Sequence, residues 1–368
     1  MSHDLDPLTA PAYSVKEGNG WLAVFNPDVA RQMDVQLLQR YGHNGVICSV
    51  RFSSDGTLLA VGTDNAVVLY KLNKGEKLTF PLGPEEEAGG PRKANHARSV
   101  LISPDNKLLV AGSEDKYVRI WSIETCSFLR ILAGHRGEVY ALAFTSDSQT
   151  LLSASGDRTV RVWDATQFTT EAAAMPEPSC RVLRPTDPEE RSSSKLVFTC
   201  LTTDSSSSFV AAGSLDGTIR VWDIRSEPAK EEPLGVLRGH ADGVYGVQFL
   251  PHDTTNSAMI LVSASLDRTL KRWEILVDEK RFTCKKTLSG HKDYVLAVSA
   301  LQVGREQRVA SSSRDGTVRL WDMKTGVPYF MIQGHTNTVT SVDLSSDGSL
   351  LASGSGDREV RLWKYTLQ

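Results

Sequence analysis

No stretch of the 368 residues reaches 18 consecutive apolar side chains, so no segment is expected to cross a bilayer as a helix. The first 20 residues, Met1 to Gly20, lack a basic start followed by an apolar run, so no secretory signal is expected there. Cysteine is sparse: Cys48, Cys126, Cys180, Cys200 and Cys284. An odd, scattered set without C-x-x-C spacing reads as reduced intracellular thiols and offers no zinc cluster, so no metal is expected. Positive charge is not in excess. Lys and Arg number 41 against 44 Asp and Glu, a formal charge of −3. That argues against a protein gripping duplex nucleic acid along a broad basic face, and no direct sequence-specific nucleic-acid binding is expected. The G-x-S-x-G elbow, the glycine-rich phosphate loop and H-E-x-x-H are all missing. The expectation is therefore no enzyme, no cofactor and no small-molecule substrate.

What the sequence does have is internal repetition. Six segments end alike: Asp115…Trp121, Asp157…Trp163, Asp216…Trp222, Asp267…Trp273, Asp315…Trp321 and Asp357…Trp363. A seventh, Asp64…Tyr70, keeps the spacing with tyrosine in place of tryptophan. Successive aromatic positions lie 51, 42, 59, 51, 48 and 42 residues apart. Within a repeat, short apolar runs alternate with turn residues, as in Val139–Phe144, Leu151–Ala154 and Val160–Trp163. Short strands at this spacing predict an all-β fold, and the period of about 42 residues selects a propeller of four-stranded blades. Seven repeats predict seven blades.

The apolar run Val35–Leu38 precedes the first repeat, and the last repeat ends at Trp363-Lys364-Tyr365 without an outer strand. The N-terminal run is expected to complete the last blade and remove an open sheet edge. The domain reading is an N-terminal extension over 1–34 and one propeller over 35–368. Polar insertions near 73–95, 166–195, 225–235 and 251–258 are expected to be solvated loops.

Four residue types recur in one order, serine four before the turn aspartate, tryptophan six after it and histidine in the preceding Gly-His, and can form a buried relay: indole to serine, serine to histidine, histidine to the aspartate. Repeat three offers Trp163, Ser153, His135 and Asp157. Repeat five offers Trp273, Ser263, His240 and Asp267. Repeat six offers Trp321, Ser311, His291 and Asp315, and repeat seven Trp363, Ser353, His335 and Asp357. Repeats one, two and four carry alanine at the serine position: Ala60, Ala111 and Ala212. The serine occurs only where both histidine and tryptophan occur, which supports the assignment. Repeats two and four lack the histidine in register, so losing Asp115 is expected to cost less than losing Asp157. Ser, His and Asp are also the types of a hydrolase triad. Four copies at one structural spacing, each beside an indole, make these groups structural, and no catalytic residue is expected.

Binding is expected at the rim where each inner strand starts. Counting five residues past each Gly-His histidine, or its aligned equivalent, gives Cys48, Arg98, Tyr140, Phe198, Tyr245, Leu296 and Thr340. Two residues earlier the ring includes Glu138 and Tyr294, and the residue before each turn aspartate adds Arg314. Aromatic and aliphatic groups with a few charges have the composition of a protein-binding surface.

The Gly-His/Trp-Asp pattern resembles the WD-repeat propeller family over roughly residues 35–366. Finer details include Val46-Ile47-Cys48-Ser49-Val50-Arg51-Phe52, a first repeat closing on Tyr70, Gly290-His291-Lys292-Asp293-Tyr294-Val295-Leu296, and a final Arg361-Leu362-Trp363-Lys364-Tyr365. These are similar to the C-terminal propeller of the Tup-type general transcriptional corepressors of fungi. The resemblance implies a nuclear protein-interaction scaffold that DNA-binding transcription repressors recruit through its top face. It implies histone tails and other corepressor subunits as further partners. Recruitment residues of that family match Cys48, Tyr140, Tyr245, Leu296, Arg314 and Asn337 here. Residues 1–34 hold no heptad run of the kind that family uses to oligomerise. A second resemblance, of Ala211 through Arg225 to the Trp-Asp-x-Arg box, implies instead a substrate receptor of a cullin–RING ubiquitin ligase.

Overall fold

A computed structural model describes residues 5–29, 33–83, 95–168, 178–185, 193–225, 231–251, 258–304 and 306–367. Seven antiparallel sheets radiate from a central axis as blades. Blade three runs Val139–Phe144, Thr150–Ser155, Val160–Asp164 and Cys180–Leu183 from axis to rim. The first strand of each blade packs beside the first strand of the next, and that of blade seven packs beside that of blade one. The ring is therefore closed.

Local chemistry sets each blade. Between the first and second strands a Ser or Thr hydroxyl donates to an aspartate two residues on, as in Ser53–Asp55, Ser103–Asp105, Thr145–Asp147 and Ser345–Asp347. The aspartate also accepts a backbone N–H two residues further along, an Asx turn. Alternating apolar residues then face the neighbouring blades. The core is accordingly a set of wedges between blades: Leu142, Phe144, Trp163 and Phe168 of blade three bury against Leu108, Val110 and Ile120 of blade two.

Closure uses Met33–Gly42, which pairs antiparallel along Glu359–Leu367 from Met33 opposite Leu367 to Gly42 opposite Glu359. The two ends of the chain thus share blade seven.

Residues 5–29 are more structured than a featureless extension. Val15–Gly18 and Trp21–Phe25 form a hairpin, and Trp21–Phe25 pairs with Pro328–Gln333, the outer strand of blade six. That outer strand is apolar (PYFMIQ) and would otherwise present an open edge. Leu5, Val24 and Met331 bury together beside it, and the Trp21 ring meets Trp363 edge-on at 5.6 Å.

Two expected insertions are partly blade. Glu76–Pro81 is the outer strand of blade one and Cys180–Leu183 that of blade three; Gly235–Leu237, starting at the end of a third, is that of blade four. Outer strands contact least of the ring and need no fixed signature, so they look like insertions. Residues 84–94, 169–177, 186–192, 226–230 and 252–257 of those segments lie outside the described residues.

Candidate protein-binding face

The histidine relays hold together the two loops that carry the rim of each blade. In blade three the Trp163 indole N–H donates to Ser153 Oγ at 2.9 Å, Ser153 meets His135 Nε2 at 2.8 Å, and His135 Nδ1 meets Asp157 at 2.9 Å. An indole only donates and a carboxylate only accepts, so the chain fixes the tautomer. The Ser153 hydroxyl donates a hydrogen bond to Nε2, and Nδ1–H donates to Asp157. Blade five repeats the relay with each contact at 2.7 Å (Trp273, Ser263, His240, Asp267). Blade six has it in Trp321, Ser311, His291 and Asp315, and blade seven in Trp363, Ser353, His335 and Asp357. Burial opposes ionisation of Asp157, but bonds from His135 and Thr159 outweigh it and hold the carboxyl well below its usual range. Asp157 also accepts the backbone N–H of Arg136 at 2.9 Å. The relay therefore pins the loop that leads to Glu138 and Tyr140.

Blades without the relay solve the same problem with residues that the repeat comparison missed. Arg119 Nη2 lies 2.5 Å from Asp115, and Arg220 lies 3.2 Å from Asp216. Asn95 donates to Asp115 at 2.8 Å, and the Ser113 hydroxyl donates to Asp115 at 2.5 Å. The arginines' position alone does not mark them: both stand four residues after the aspartate, but so do Arg161, Arg319 and Arg361 in blades with the relay. His96, out of register for blade two, faces back to blade one, its Nδ1 2.5 Å from Asp64. In blade one the Tyr70 hydroxyl meets His43 Nε2 directly at 3.1 Å, so no serine is needed above Ala60. Burial, helped by Lys77, lowers the His43 pKa to about 4.

At the rim, Tyr245 is 36% exposed, and Tyr140, Tyr294, Leu296, Cys48 and Glu138 are half-buried. Arg98, Arg314 and Asn337 are exposed. The Tyr140 hydroxyl donates to Glu138; burial first, then that bond, pushes the phenol up to about 12. Arg98 pairs with Glu114 and lies close enough to act electrostatically on Cys48, Tyr140 and Tyr245. Burial pushes the Cys48 thiol up to about 11, so it stays a neutral contact rather than a nucleophile. On blade six the Arg314 guanidinium lies over the Tyr294 ring at 5.4 Å and 3.8 Å from Asp293. The Asn337 side chain accepts from the Thr338 N–H at 2.7 Å.

Phe198 is a correction. It is 0% exposed and meets Trp222 edge-on at 5.8 Å, inside the wedge between blades three and four. Strand pairing shows why. Phe198 faces Ser214 just as Val139 faces Ser155 and Val244 faces Ser265. The equivalent of Tyr140 is thus Thr199, whose hydroxyl bonds the carbonyl of Val244. Repeat four has no Gly-His to count from, and a one-residue slip in a strand turns the side chain to the other face.

His335, Asp357 and Glu359 come closest to a metal-ligand grouping among the described residues. Both His335 nitrogens are already bonded, and Glu359 is shared by Arg40 and Arg361.

The family description "WD domain, G-beta repeat" matches residues 35–71, 92–122, 126–164, 190–223, 231–274, 282–322 and 326–364. The chain is 30% identical to the general transcriptional corepressor TUP1 of Saccharomyces cerevisiae, over 98% of this chain and 57% of that protein. It is 36% identical to the transcriptional repressor rco-1 of Neurospora crassa, over 99% of this chain and 57% of that protein. Transducin beta-like protein 3 of Bos taurus is 26% identical, over 88% of this chain and 37% of that protein. The chain thus spans less than two thirds of the length of these relatives. Seven matched repeats, each carrying the three inner strands of one blade of a closed ring, place the chain in the WD-repeat family, as a seven-bladed β-propeller scaffold.

Proposed function

We propose that the chain works in the nucleus as a general transcriptional corepressor scaffold. DNA-bound repressors dock on the rim built from Cys48, Arg98, Glu138, Tyr140, Tyr245, Tyr294, Leu296, Arg314 and Asn337. Histone tails and other corepressor subunits are its further partners. The reading is carried by one observation: Cys48, Arg98, Tyr140 and Tyr245, at the starts of the inner strands of blades one, two, three and five, all stay partly open to solvent, with the charge of Arg98 within reach of the other three. Tyr and Arg are the types that anchor protein interfaces. The names of the two fungal relatives, corepressor and repressor, point the same way. The scaffold carries no chemistry of its own in this reading; its relays position loops. Affinity purification from nuclear extract with mass spectrometry tests it. Sequence-specific repressors, retained by the native chain and lost from Tyr245→Ala, are expected. Ubiquitin-ligase adaptors without any DNA-binding repressor would contradict it.

A further inference from the structure

At the loop end of blade three lies a groove of about 650 Å³ lined by four arginines, Arg136, Arg158, Arg161 and Arg184, with Thr159 and Pro185. The one lining carboxylate among the described residues, Asp157, is already committed. It accepts from His135, from the Arg136 N–H, and from both the N–H and hydroxyl of Thr159. In blades two and four the arginine at the place of Arg161 folds onto the turn aspartate, as Arg119 onto Asp115 and Arg220 onto Asp216. In blade three the histidine holds that aspartate instead. Arg161 consequently bonds only neutral groups, the carbonyl of Gly134 at 2.7 Å and the Cys180 sulfur at 3.4 Å, and its buried Nε has no hydrogen-bond partner. Among the described residues no carboxylate pairs with Arg136, Arg161 or Arg184. Arg136 and Arg184 are exposed.

Three guanidinium planes around one groove, none paired with a carboxylate of the described residues, call for a compact, multiply charged anion. A phosphate carries close to two negative charges and three acceptor oxygens, and guanidinium forks match it in two-point contacts. A lone carboxylate satisfies one fork. A nucleic-acid backbone needs a continuous basic track, whereas Glu138 lies two residues from Arg136 and the Arg184 N–H bonds the carbonyl of Glu231 at 3.2 Å. We infer that this groove binds a phosphorylated side chain in an extended segment of a partner protein. Tyr140 and Tyr245 do not line it, although Gly156 of the groove adjoins the Tyr140 ring, and the inference stands without their recruiting role.

The test uses the full chain and a fluorescein-labelled Gly-Ser peptide carrying two phosphoserines, read by fluorescence anisotropy. Saturable binding is expected, weakened about tenfold or more in Arg136→Ala/Arg184→Ala. Lys285→Ala/Lys286→Ala, in a basic groove between blades five and six, is expected to bind as the native chain does. The same peptide unphosphorylated is expected not to bind, and with glutamate in place of phosphoserine to bind at least about tenfold more weakly. Millimolar inorganic phosphate is expected to displace the probe from the native chain, a readout that needs no variant. The inference is overturned by equal binding of the unphosphorylated peptide, by equal losses in the lysine variant, by a failure of phosphate to compete, or by a single-stranded oligonucleotide binding more tightly than the phosphopeptide.

Discussion

In blades three, five, six and seven a histidine closes over the turn aspartate; in two and four Arg119 and Arg220 do so from within the third strand. The relays were legible from serine and tryptophan at constant offsets from the turn aspartate, with a histidine in the preceding Gly-His. The arginine substitutes were not legible, because an arginine stands at the same offset in relay blades three, six and seven. Their presence changes an expected ranking. Asp157→Ala strands His135, at a cost of about 1–3 kcal/mol. Asp115→Ala strands Arg119, which is 8% exposed, so its cost is expected to be of the same order rather than smaller. Denaturant melts of both variants decide: an Asp115→Ala protein as stable as the native chain would show that Arg119 finds another partner. Blade one supplies a pH signature. His43 ordinarily titrates at 6.5 but stays neutral in the fold down to about 4. As pH falls through that window the unfolded chain takes up a proton that the folded chain refuses, so stability falls. Asp357 behaves oppositely in charge but not in outcome. Burial works against its ionisation, the His335 bond overrides this, and the carboxyl drops from 3.8 to about 2. Its stabilisation is present above pH 3.8 and is lost as pH falls towards 2. Melts between pH 7 and 3 are expected to show a continuous decline, shallower between 6.5 and 4 in His43→Gln. An identical decline in that variant would remove His43 from the account.

At the level of elements, inner and middle strands were legible because they bury two faces and keep a tight pattern. Outer strands were not. Glu76–Pro81 and Cys180–Leu183 share little sequence and resemble loops, since one edge faces solvent. The hairpin from Val15 to Phe25 was missed for a related reason: it belongs to no repeat, and its partner, Pro328–Gln333, lies some 300 residues away. The closing strand Met33–Gly42 was legible from the frame, because the last repeat lacked its outer strand. The two elements predict graded truncations. Removing residues 1–28 uncovers the apolar edge of blade six and is expected to promote self-association with a modest loss of stability. Removing residues 1–40 also takes most of the strand that joins the chain ends in blade seven, and is expected to lower the melting temperature well below the shorter truncation. Size-exclusion chromatography and thermal melts read both. Equal melting of the 1–40 truncation and the native chain, with both monomeric, would contradict closure as a source of stability.

For the whole molecule, the ring converts seven local solutions into one rim. Each relay or arginine clamp fixes a loop, and closure sets the loops around a common mouth. Most rim positions could be counted from Gly-His. The count failed at Phe198, in a blade without that marker, where Thr199 holds the equivalent place. The recruiting role of the rim is the central claim, and it separates docking from repression itself. Truncating a central aromatic anchor typically costs 2 kcal/mol or more, roughly thirtyfold in affinity. Tyr245, 36% exposed, is expected to affect folding by under about 0.5 kcal/mol when truncated. The most direct measurement is a reporter assay of Tyr245→Ala, alone and with Tyr140→Ala, by two routes: recruitment through a DNA-bound repressor, and direct tethering of the scaffold to DNA. Repression is expected to fail by the first route and survive by the second. Full repression by both routes, from protein that folds as the native chain does, would contradict a docking role for this face.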